Sequence, residues 1–133
     1  MTSAREASRR RGVWAETLAV LWLRLKGFSI LARGEVSGRG SGAGEVDIVA
    51  RRGRVLAFVE VKARPSRAEA AAAISSRQRR RIVRGAEAFL ARRPELAGLD
   101  IRFDAVLVAP GRWPLHVIAA WWPEVRRDGR MDA

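Results

Sequence analysis

Three carboxylates and one lysine stand in this chain where burial and local pairing explain them poorly. In the segment FVEVKAR, Glu60 and Lys62 continue the strand face of Leu56 and Phe58, because residues two apart project to the same side, about 6.7 Å along the chain. An isolated Glu-x-Lys also fits a strand leaving the core, its charges solvated or paired. Asp47 lies in GEVDIVA, where aspartate is a poor strand former, and it shares one face with Glu45 and Val49 while Val46 and Ile48 take the other. An exposed edge position would explain it alone. The short Arg52-Gly53-Arg54 connection adds a second reading, since hairpin neighbours can oppose Asp47 and Glu60 on one face if the register allows. Two carboxylates held close repel unless a proton or cation sits between them. A divalent metal would resolve the conflict.

Glu16 is the third acid. Gly12, Val13, Ala19 and Val20, three and four positions away, offer no base for a helical ion pair, and Glu16 lies too far along the helix for its N-terminal dipole. It shares a stripe with Ala19, Val20 and Leu23, so an inward-facing functional carboxylate is expected.

The elements that must position these groups follow from periodicity. Residues 4–26 read as a helix capped by Ser3, with Trp14, Leu18, Leu21, Trp22 and Leu25 as the main buried stripe, and Gly27 ends it. Strands are expected at 28–33, 45–51, 55–64, 101–109 and 115–121, and a second helix at 76–92 with arginines on its outer faces. Five of the 12 glycines fall between Gly34 and Gly44, a loop expected to be mobile. The order αβββαββ predicts an α/β fold: a mixed central sheet flanked by helices, with an extra C-terminal strand. Residues 1–125 form one expected domain, and 126–133 a flexible basic tail.

Composition limits the chemistry. With no Cys, no Tyr and one His in 133 residues, thiolate zinc sites, iron-sulfur clusters, disulfides and cysteine nucleophiles are excluded. A catalytic metal would need mainly carboxylate and carbonyl oxygens, which suit magnesium or manganese. Neither lysine follows a glycine, so no Walker phosphate loop is present. Arg9, Arg10 and Arg11 before an apolar stretch look superficially like a leader, but Glu16 and Arg24 interrupt that stretch. No apolar run approaches the roughly 18 residues of a membrane span, so a cytoplasmic protein without membrane association is expected.

The net charge of +12 makes a polyanion the first expected partner. Arg77, Arg79, Arg80, Arg81 and Arg84 cluster on the second helix, enough to clamp several phosphates, with Arg9 to Arg11 as a second contact; a solvated helix face is the plainer alternative. If about five phosphates are neutralised, affinity for duplex DNA should fall with a log-log salt slope of roughly −4.5. His116 reads as a structural histidine. Asp104 is either a buried acid satisfied by backbone donors or a support for the acidic site. Trp121, Trp122, Arg126 and Arg127 are assigned no role.

The order of Glu16 on the first helix, Asp47 on a strand, and Glu60-Val61-Lys62 on the next resembles the PD-(D/E)XK restriction-endonuclease-like nucleases, notably the archaeal Holliday-junction resolvases. The blocks AETLAVLWLRLKGFSIL, GEVDIVARRGRVLAFVEVKAR, SSRQRRRIVRGAEAFL and RFDAVLV resemble the bacterial YraN-like family over roughly residues 12–121. That resemblance implies a restriction-endonuclease-like αβββαβ core. It also implies magnesium or manganese held by Asp47, Glu60 and the Val61 carbonyl, with Glu16 acting directly or through water. Lys62 would serve the attacking water or the transition state, and Gln78 would lie near the metal. A DNA nuclease is implied, active on branched or junction DNA, for which a two-fold homodimer is favoured. The alternatives are a nucleic-acid-binding protein of the same fold that does not cut, and a scaffold docking on an acidic protein.

Overall fold

The computed structural model describes the backbone of residues 4–34, 46–121, 124–125 and 131–132, and the side chains of residues 12–34 and 46–121. Most of the glycine-rich loop, Glu45, Trp122, Arg126 and Arg127, and the side chains of Arg9 to Arg11, lie outside the described residues.

The order is α1 (Ala4–Leu25), β1 (Ser29–Arg33), β2 (Ile48–Arg52), β3 (Val55–Ala63), α2 (Arg67–Ala72), α3 (Ser76–Ala91), β4 (Asp100–Val108) and β5 (Leu115–Trp121). Two-residue strands β6 (Glu124–Val125) and β7 (Met131–Asp132) pair with each other, β7 falling within the segment expected to be a tail. The main sheet runs β1-β2-β3-β4-β5, and it is mixed: β3 and β4 are parallel, the other neighbours antiparallel. The parallel pair needs a crossover, and α2 and α3 supply it. The Ala-rich stretch read as a connection thus contains α2, capped by Ser66, whose hydroxyl accepts the Glu69 N–H at 3.1 Å.

Helices cover both faces. α3 sets Ile82, Val83, Ala86 and Phe89 against Val49, Leu56, Phe58, Phe103 and Leu107. On the other face, α1 sets Ala15, Ala19, Val20 and Leu23 against Ile48, Ala50, Ala57, Val59 and Val106. This reverses the expectation for α1. Trp14 and Leu25, in the stripe expected to be buried, are 65% and 82% exposed, whereas the Ala19-Val20-Leu23 stripe is the buried one. Small side chains let the helix backbone approach the alanines of the sheet closely, which the tryptophan stripe could not do. Gly27 ends α1 at φ +92°: its N–H reaches Arg24 O and the Phe28 N–H reaches Leu23 O, both at 3.0 Å, with Phe28 and Leu23 in the same apolar cluster.

Asp104, with 0% exposure, is the polar centre of this α1 face. Arg102 donates to both its oxygens at 2.8 Å, His116 Nε2 donates at 2.8 Å, and the Ala119 N–H donates at 3.0 Å. Lys26 Nζ donates to His116 Nδ1, which leaves the ring proton on Nε2 for Asp104. His116 is therefore structural. Asp104 supports the sheet rather than the acidic site, because Glu60 points to the other face. Burial alone would raise the Asp104 pKa, but the bonds from His116, Arg102 and Ala119 outweigh it and hold the carboxyl below its ordinary range. Ala119 adopts φ 51°, within a register shift of β5 opposite Asp104.

Asp104→Asn should destabilise the chain by about 3 kcal/mol, because it removes the fully buried charge that Arg102, half-buried, and His116 are bonded to. Since the folded pKa is depressed, this contribution is present above the unfolded carboxylate range and lost as pH falls through the folded value. Urea unfolding of parent and variant at neutral and acid pH checks both: the gap should close in acid. Ala119→Gly should stabilise by about 1 kcal/mol by relieving the left-handed backbone.

Candidate active site

Strands β2 and β3 close on the two-residue turn Gly53-Arg54, with Gly53 at φ +61°, and their register runs from Arg52↔Val55 to Ile48↔Val59. One further step would oppose Asp47 and Glu60. The ladder stops before that step, so Asp47 lies just ahead of β2 and not inside it as expected. Continued alternation would aim the Val61 N–H at the Val46 carbonyl; Asp47 Oδ2 accepts that N–H instead, at 2.9 Å. The side chain has taken over a backbone bond, which holds its carboxylate beside Glu60.

Glu60 is 4% exposed, on the α3 face with Leu56 and Phe58. Its Oε1 accepts from Gln78 Nε2 at 2.8 Å and lies 3.3 Å from Lys62 Nζ. Gln78 reaches it because Ser75 caps α3, its hydroxyl accepting the Gln78 N–H at 3.1 Å and fixing where the helix begins. Burial first, and then the negative charge of Asp47, push Glu60 up to about 8, with Lys62 offsetting only part of this. Burial also raises Asp47, against the Val61 N–H and a hydrogen bond shared with Glu60. Two acids in hydrogen-bond contact require a proton between them. Asp47, Glu60, Gln78 and Arg81 line a pocket of about 40 Å³, large enough to admit water.

Glu16 stands apart from this pair. Its Oε1 accepts from the Gly34 N–H at 3.1 Å and from Arg33 Nε at 3.3 Å, and Arg33 also donates to Thr17 Oγ1 at 3.0 Å. A cation distant in sequence thus supplies the partner that the helical neighbours lack. The Glu16 charge still reaches Asp47 and raises its pKa. Among the described residues no group of three or more acids or histidines is gathered closely enough to hold a metal.

Arg77, Arg80, Arg81 and Arg84 are exposed and, at spacings of three and four, form one stripe of α3, from which Arg81 borders the acidic pocket. Arg79 turns away from that stripe. It is half-buried, with its guanidinium 5.9 Å from the centre of the Trp121 ring.

A sequence model of the uncharacterised protein family UPF0102 matches residues 15–108. The chain belongs to that family. A UPF0102 protein of Paramagnetospirillum magneticum is 62% identical over 118 residues, covering 89% of this chain and 92% of the relative. One from Maricaulis maris is 52% identical over 126 residues, covering 92% and 94%. Glu16, Asp47, Glu60, Lys62 and Gln78 all fall inside the matched residues 15–108. Among the described residues no helix is long and apolar enough to cross a membrane.

With divalent cations chelated, stability should decline as pH rises from the ordinary glutamate value of 4.5 through about 8, because the folded chain keeps a proton that the unfolded chain has released. Glu60→Gln should abolish that decline and melt several degrees above the parent at alkaline pH. Thermal melts across pH test this; a flat parent profile would mean that Glu60 is ionised and fully compensated.

Proposed function

We propose that this protein is a metal-dependent nuclease of the PD-(D/E)XK type, hydrolysing DNA phosphodiester bonds and similar in its site to junction resolvases. The observation that carries the reading is the pairing of half-buried Asp47 with buried Glu60, which share a pocket, with Lys62 at 3.3 Å from Glu60. The donor set fits a hard cation: two carboxylates, with the Val61 carbonyl between Glu60 and Lys62 as the third oxygen. Magnesium or manganese bound there would lower the pKa of a water and stabilise charge on the phosphoryl oxygens.

The chain's own groups divide the remaining work. Gln78 holds one oxygen of Glu60, leaving the other for the cation. Lys62 would orient the attacking water or receive its proton, and its ammonium would neutralise charge gathering on the phosphorus oxygens as the bond to the leaving alkoxide breaks. Glu16, tied to Gly34 and Arg33, would act through its charge on Asp47 or through water, in place of a direct ligand. Arg77, Arg80 and Arg84 would hold phosphates on either side of the scissile bond, with Arg81 at the pocket rim.

Purified protein is to be incubated with branched, flapped, single-stranded and duplex DNA in magnesium or manganese. Cleavage should require the metal, fall at least about a hundredfold in Lys62→Ala, and vanish in Asp47→Ala and Glu60→Ala. Cleavage that survives both acid substitutions would refute the assignment, and binding without cleavage would favour the non-catalytic alternative. Either metal should also raise the melting temperature of the parent at alkaline pH and leave Asp47→Ala unmoved.

A further inference from the structure

At the same end of the sheet as Glu60 and Lys62, the turn between β4 and β5 carries a second feature that the proposed chemistry does not use. Ala63 pairs with Val108, the last residue of β4, and the Arg64 N–H is bonded to Val108 O at 3.1 Å. Glu60 to Ala63 is three residues, roughly 10 Å along the strand. From Val108 the chain turns through Gly111, at φ +70°, and brings Arg112 and Trp113 against the start of α2. Arg67, Gly111, Arg112 and Trp113 line an open cleft of about 430 Å³.

Trp113 is 75% exposed although its ring stacks on Trp22 of α1, centroids 5.6 Å apart at 27°. Trp22 can cover only one indole face, so the exposure belongs to the other. Trp113 therefore presents one uncovered indole face to the cleft. The ring is also held in place. Arg67 Nη2 donates to the Trp113 carbonyl at 2.7 Å, and the following Pro114 is buried. Arg67 and Arg112 line the same cleft as the open ring and set two guanidinium side chains beside it.

We propose that this cleft stacks an unpaired nucleobase on Trp113, with Arg67 and Arg112 holding the adjoining phosphate. The proposal rests on the nucleic-acid reading of the acidic pocket and names its substrate class: strands with unpaired bases, as in flaps, gaps and branch points. An open aromatic face accepts any base, guanidinium donors match phosphate oxygens, and a base still paired in a duplex cannot reach the ring.

Anisotropy of a labelled oligothymidylate of about twelve nucleotides, and of a blunt duplex of equal length, tests it in EDTA, where nothing is cut. The parent should prefer the single strand. Trp113→Ala should reduce that preference about tenfold, Trp113→Phe should keep most of it, and Arg67→Gln should weaken single-strand binding several-fold. If Trp113→Ala and Arg67→Gln both keep the parent's preference, the cleft proposal is overturned and the acidic pocket is untouched. If the parent binds neither DNA, the nucleic-acid reading fails and takes the cleft with it.

Discussion

The bond from the Val61 N–H to Asp47 is the constraint on which the acidic pocket depends. It replaces a rung of the β2–β3 ladder with a side chain, and so ends a strand and fixes a carboxylate in one step. Glu60 opposes that carboxylate because Phe58 and Leu56, two and four residues back, must face α3 to fill the core. A one-residue slip of the hairpin would turn Phe58 to the wrong face and separate the acids together. Register that is set by packing therefore also sets the distance between two charges. The hydrophobic core holds the pair against its own repulsion.

Asp104 and Glu60 show two treatments of a buried acid in one sheet. Asp104 receives two bonds from Arg102, one from His116 and one from Ala119, and its carboxyl is held low. Glu60 receives Gln78 and a lysine at 3.3 Å, faces another acid, and is pushed up to about 8. The fold is able to saturate an acid and does so where the acid ties β4 to β5. At Glu60 it leaves the charge undercompensated beside an opening, the condition in which an added cation gains most.

How much of this was legible in the sequence depended on the kind of signal. The alternation of Leu56, Phe58, Glu60 and Lys62 put the acid and lysine on one face, and Gly53 marked the hairpin; both are local patterns of period two or turn chemistry, and both hold in the structure. A period cannot show where pairing stops, so Asp47 read as a strand residue although it ends the strand. The orientation of α1 was not legible either, because two apolar stripes compete on it. Bulk favoured Trp14 and Leu25, whereas the stripe that meets Ala50 and Ala57 of the sheet is Ala15, Ala19, Val20 and Leu23, whose alanines let the helix approach closely. The Arg33 partner of Glu16 is seventeen residues away, and no helical spacing rule reaches it. Trp113, in a turn between Arg112 and Pro114, gave no periodic signal at all.

The charge of +12 accordingly does not describe a uniform surface. Arg102 and Arg33 are bound to acids, Arg52 donates to the Lys26 carbonyl and lies over Phe28, and Arg79 lies over Trp121. These guanidiniums serve the fold, as planar groups that can hydrogen-bond and stack at once. What faces solvent in an ordered array is the stripe of Arg77, Arg80, Arg81 and Arg84, one residue of which borders the acidic pocket. A polyanion drawn to that stripe would be presented to two acids it cannot approach without a cation between them. On the proposed reading the basic surface and the acidic pocket would be coupled: the first would concentrate the anion, and the second would make its close approach conditional on metal.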